Sequence, residues 1–100
     1  MTPSIKQLRY ICAVAEHRHF SKAAESCFVT QSTLSAAIQE LESQLGVVIF
    51  ERSKKTVLIT PLGDRLLDQA RLILGDVEDF VSLAKIHNEA LAGEIRLGVI

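Results

Sequence analysis

The chain has 100 residues, no tryptophan and only five aromatic residues. Its core must therefore be built from Leu, Ile, Val and Ala, and at 48% hydrophobic residues there are enough of them for one small domain. No unbroken apolar stretch is longer than a few residues. A bilayer crossing needs about twenty, so no membrane partner is expected. The N-terminus, MTPSIKQLRY, lacks the basic-then-apolar pattern of a secretion signal, which points to a cytoplasmic chain. Cysteine is scarce. Cys12 and Cys27 each sit among apolar and small residues and read as core thiols, because a reducing compartment disfavours a disulfide. No CxxC or Cys/His spacing points to zinc, and no metal or other cofactor is expected.

An excess of positive charge is lacking as well. The net charge is -1, but this average conceals an asymmetry. Residues 1–60 hold seven basic and five acidic side chains, whereas residues 61–100 hold four and seven. The modest basic end excludes a polycationic surface and leaves contact through individually placed groups.

The elements follow from apolar spacing and caps. Residues 4–17 read as a helix with Ile5, Leu8, Ile11, Cys12 and Ala15 on one face. Ser4 and Gln7 form a capping box at its start. After a turn at Arg18 and His19, Ser21 is expected to cap a short second helix that packs through Ala23, Ala24 and Cys27. Thr30 caps a third helix, which Gly46 ends; Leu34, Ile38, Leu41 and Leu45 face inward. Residues 47–52 and 56–60 read as two short strands joined at Ser53-Lys54-Lys55.

Pro61 stands where a new helix starts, and from Leu62 to about Ala90 the chain has no further proline. Leu66, Leu67, Ala70, Ile73, Leu74, Val77, Phe80, Val81 and Ala84 form a continuous stripe with alternating steps of three and four, the spacing of a coiled-coil seam. Roughly 40 Å of such helix, at 1.5 Å per residue, exceeds what a sixty-residue head can cover. The excess predicts a homodimer; the alternative is a helix folded back on its own head. Residues 93–100 alternate after Gly93 and read as a strand whose partners would lie in a following domain.

Helix two, turn and helix three form a helix-turn-helix, and the hairpin adds a small two-stranded β wing. The class is mainly α. Residues 1–60 form the winged head, 61–90 the long dimerisation helix, and 91–100 a hinge and first strand. The outer face of helix three carries Gln31, Ser32, Thr33, Ser35, Ala36 and Gln39, short side chains of the kind that enter a DNA major groove. Gln can bridge adenine edges, and Ser and Thr bond bases or phosphates. An ordinary solvated helix face has the same composition.

The segments FSKAAE, VTQSTLSAAIQELE, LGVVIFER and ITPLG, in that order and spacing, closely resemble the N-terminal domain of the LysR-type transcriptional regulators. The resemblance covers about residues 4–90. AEHRHF and AAESC are similar to the peroxide-sensing OxyR branch, and GEIRLGVI looks like the first strand of the family's effector-binding domain. The resemblance implies a sequence-specific regulator of double-stranded DNA. It also implies pairing through the linker helix, tetramers with the effector domains, and an effector sensed by the C-terminal domain. Ser21 and Lys22 match phosphate-holding positions. Gln31, Ser32, Thr33 and Ser35 match the start of the recognition helix. Lys55, with Lys54 beside it, matches the basic wing tip at the minor groove. Arg52 matches the arginine of the family's ER pair, a position equally suited to the wing's own structure. Three residues depart from the pattern: Ser32 replaces a common proline, Ala36 a common arginine, and Gln39 a frequently basic residue.

An enzyme is not expected. Glu16, His17 and His19 stand at a helix end and do not converge on a substrate, and no phosphate loop or nucleophile motif is present. A winged module that pairs only with protein remains the alternative, and steep salt dependence of duplex binding separates the two.

Overall fold

The computed structural model describes residues 1–53 and 56–99, the last eight as backbone only. Lys54, Lys55 and Ile100 lie outside the described residues. The order is α1 (Ile5–His17), α2 (Phe20–Ser26), α3 (Gln31–Leu45), β1 (Phe50–Arg52), β2 (Val57–Ile59) and α4 (Pro61–Val99). This is a winged helix-turn-helix with a long final helix.

The capping box of α1 is present. Gln7 N–H donates to Ser4 Oγ at 3.1 Å, and Ser4 N–H donates to Gln7 Oε1 at 2.9 Å. The buried face of α1 differs from the single stripe expected. Tyr10, Ala13 and Val14 join Ile11 and Ala15 in the core, while Ile5 is exposed and Leu8 and Cys12 are half-buried. The cause is topological: α1 packs against α2, α3 and α4 together, so it is covered on more than one side. Gln7 is the buried polar residue among these, and its Nε2 donates to Ala37 O at 3.3 Å, joining α1 to α3.

Ser21 does not cap α2. Arg18 closes α1 in the left-handed region at φ 51°, which leaves His19 extended at φ -156° in the cap position. His19 Nδ1 accepts from Lys22 N–H at 3.1 Å, and Ser21 lies inside the helix. Thr30 caps α3 as expected, accepting from Thr33 N–H at 3.2 Å, and Gly46 ends it at φ 67°. Leu34, Ile38 and Leu41 are buried, but Leu45, the last residue of the helix, is exposed at its rim.

The two strands are shorter than expected. They pair antiparallel, Phe50 with Ile59, Glu51 with Leu58 and Arg52 with Val57. The carboxylate of Glu42 in α3 accepts from the amides of Ile49 and Phe50 at 2.7 and 3.3 Å, fixing the start of the wing to the end of α3. Ser53 N–H donates to Thr56 O at 3.0 Å, closing the hairpin one pair beyond the strands.

The ITPLG segment joins wing to rod. Thr60 Oγ1 accepts from Gly63 N–H at 2.9 Å, Pro61 occupies the first turn, where its missing donor costs nothing, and α4 follows. Gly63 is there for proximity: a Cβ on it would stand 2.5 Å from Ile49 O. With 39 residues α4 is about 58 Å long. The segment expected as a strand, residues 93–99, continues this helix instead. A strand without neighbours leaves its backbone groups unpaired, whereas a helix satisfies them internally. The stripe on α4 divides. Leu67 and Ala70 are buried in the head itself; Leu66, Ile73, Leu74 and Val77 are half-buried; Phe80, Val81 and Ala84 are exposed. Folding back thus accounts for the first half of the helix and not for the second. No helix among the described residues is long and apolar enough to cross a membrane.

Candidate nucleic-acid interface

The first turns of α2 and α3 and the tip end of the wing's strands converge on one open groove. It is lined by Arg18, His19, Phe20, Ser21, Gln31, Arg52, Ser53, Thr56 and Val57. Three separate caps make this convergence. The left-handed turn at Arg18 and the His19 cap start α2 beside the wing, and Thr30 starts α3 at the same edge.

Of the residues singled out in the sequence, Ser21, Gln31 and Arg52 meet in this groove. Lys22 is exposed on α2 next to it. Ser32, Ala36 and Gln39 are exposed and Ser35 half-buried, at spacings that place them on one outer face of α3. Thr33 is exposed too, but it belongs to a second groove on the far side of α3, with Gln7, Tyr10, Ala37, Glu40 and Gln44. The Thr33 hydroxyl also accepts from Thr30 Oγ1 at 2.8 Å, so it is engaged with the cap. Lys54 and Lys55 lie outside the described residues, between the bonded pair Ser53 and Thr56.

Arg52 has a defined place. Its guanidinium carbon lies 4.2 Å from the centroid of the Phe20 ring. Phe20 meets Phe50 edge to face, with centroids 6.3 Å apart and planes at 81°. Arg18 and His19 are groove residues that sequence reasoning missed. A histidine cap falls outside the usual Ser, Thr, Asp and Asn set, and a left-handed arginine leaves no local signal.

The groove is open and its lining mixes cations, hydroxyls and an amide. Such a surface can neutralise phosphate and donate to it, and the short side chains of α3 leave room for close approach to base edges. Cys12 lies away from it, among the half-buried residues against the core. Burial pushes its thiol pKa up, against a smaller opposing effect of Arg71.

Comparison with known proteins agrees with this geometry. Residues 5–64 match the model of the bacterial regulatory helix-turn-helix proteins of the lysR family. The HTH-type transcriptional regulator EstR of Acinetobacter baylyi is 45% identical over 98 residues, 98% of this chain and 33% of that protein. The DNA-binding transcriptional dual regulator OxyR of Escherichia coli is 44% identical over 97 residues, 97% of this chain and 32% of that protein. The chain thus spans about a third of the length of these relatives. Identity to EstR and to OxyR is nearly equal, so it does not single out the peroxide-sensing branch. The solved complex of BenM_DBD with benA site 1 DNA superposes with a TM-score of 0.78 at 38% identity, covering 82% of this chain and 92% of that one. With its helix-turn-helix, wing and long helix in the order and place described, the chain belongs to the lysR family of bacterial regulatory helix-turn-helix proteins.

Proposed function

We propose that this chain is the DNA-binding end of a sequence-specific transcription regulator, with α3 in the major groove and the wing at the minor groove of double-stranded DNA. The observation that carries the reading is the convergence of Ser21, Gln31 and Arg52, from three elements, on one open groove beside the small outer face of α3. The similarity to BenM_DBD, solved with DNA, supports it. The exposed second half of α4 supports self-association through that helix, in a homodimer that assembles further into tetramers. The effector is sensed by a C-terminal domain in the part of the relatives that this chain does not span. The regulator works in the cytoplasm and is not an enzyme, a reading supported by its similarity to the transcriptional regulators EstR and OxyR.

Titration of variants against the operator recovered by footprinting, and against a scrambled duplex, tests the reading. Gln31→Ala weakens operator binding by roughly 1–3 kcal/mol and leaves the scrambled duplex nearly unchanged. Lys55→Ala weakens both and makes the log–log salt slope shallower by about one unit. Equal losses of Gln31→Ala on both duplexes would show that α3 does not read bases there.

A further inference from the structure

Arg52 lies in the last strand pair before the wing tip, beside the start of α2, and its surroundings decide between two roles. On β1, Phe50 and Arg52 are two residues apart and share a strand face, with Glu51 on the other. Phe50 is buried and Arg52 exposed, so that face runs from the core to the surface along the strand. The ring it meets is Phe20, the first residue of α2. Arg52 continues the same stack, its guanidinium at 4.2 Å from the Phe20 centroid. Among the described residues no carboxylate pairs with Arg52, and the one ion pair there is Arg71 with Asp68. Its orientation therefore comes from the aromatic face. Such a seat suits a planar guanidinium and not the compact, strongly hydrated ammonium of lysine.

The wing is thus held at two points. Glu42 ties the Ile49 and Phe50 amides to the end of α3. The stack of Arg52, Phe20 and Phe50 ties β1 to the start of α2. The first tie fixes where the wing begins, and the second fixes its angle to the groove that holds Ser21 and Gln31.

We infer that Arg52 is a positioning residue: stacked on Phe20, it sets the angle between the wing and the recognition face, so that both meet one duplex together. Resting on the proposed DNA-binding function, this assigns to Arg52 a role in geometry over and above its charge.

Arg52→Lys keeps the charge and removes the stack. Phe20→Leu keeps an apolar side chain at the start of α2 and removes the ring. The wing angle is read first in the free protein, from residual dipolar couplings of the Phe50, Arg52 and Thr56 amides relative to those of α3. Both variants shift the wing couplings and leave those of α1 and α3 in place, and ring-current shifts of the Arg52 side chain vanish in Phe20→Leu. Operator binding then falls by about two- to fivefold in either variant, the size of an exposed cation–aromatic contact, with the salt slope of Arg52→Lys unchanged. The double variant loses no more than either single one. Unchanged couplings, or full operator affinity in Arg52→Lys, would overturn the inference and leave Arg52 a phosphate contact alone. If the wild-type chain binds no duplex, the functional reading fails while the couplings still decide the geometry.

Discussion

Replacing each of two glycines in α4 by alanine is expected to have opposite effects. In an open helical position the change gains about 0.8–1.0 kcal/mol, because glycine loses more backbone freedom on folding. Gly75 is such a position, with nothing within 4 Å of an added Cβ. At Gly63 the Cβ would meet Ile49 O at 2.5 Å and Thr60 Oγ1 at 2.9 Å. The first is a backbone atom that also accepts from Thr60 N–H at 3.0 Å, so it cannot rotate away. Relief requires the root of α4 to withdraw by most of an ångström, which strains the Thr60 cap and its 2.6 Å bond to Val48 O. Overpacking of this kind costs about 1–3 kcal/mol, and a weakened hydrogen bond adds about 0.5–1.5. Set against the helix gain, Gly63→Ala loses about 1–3 kcal/mol net, and Gly75→Ala gains close to 1. For a chain of this size each kcal/mol moves the Tm by about 4–8 °C. Thermal unfolding followed by far-UV circular dichroism, at one protein concentration for all variants, reads both. A Gly63→Ala chain that melts at or above the wild type would refute the argument from close approach.

Val77→Glu combined with Val81→Glu puts charge on the α4 stripe at a half-buried and an exposed position and is expected to give a folded monomer, measured by sedimentation; a wild-type chain already monomeric at micromolar concentration would refute the seam. Phe28 is held at φ 59° with 95% of its surface exposed, so Phe28→Asn removes left-handed strain, loses almost no packing and raises stability by about 0.5–1 kcal/mol in urea titration. Cys12 favours its neutral thiol in the folded state. Folding stability is therefore level below the ordinary thiol pKa and falls as pH rises above it, and Cys12→Ala abolishes that fall in pH-dependent denaturation.

Local chemistry was legible in the sequence where a side chain acts on its own neighbourhood. Ser4 with Gln7, Thr30, Gly46 and Pro61 mark helix ends because each cap satisfies backbone groups within a few residues. Ser21 misled because the true cap depends on where α1 stops, and a left-handed arginine sets that. The period-two pattern of residues 93–100 resembled a strand, but a pattern supplies no partner strand, and α4 runs on. In the site, Gln31 and the outer face of α3 were readable from spacing. The stack of Phe20, Phe50 and Arg52 was not, since Phe20 lies thirty residues or more from the other two and meets them only after the helix-turn-helix and hairpin have formed. The structure also divides Thr33 from Gln31, which helix spacing alone already separates by about 200°.

The close seat of Gly63 against Ile49 makes the head and α4 behave as a lever with a stiff pivot. Over about 58 Å, a tilt of about 5° at the root carries the far end through about 5 Å. Read in the other direction, a displacement of several ångströms at the far end reaches the winged head as a rotation of only a few degrees. A device attached there would thus work in reduction gear, turning coarse movement at one end into fine adjustment of where the winged head points.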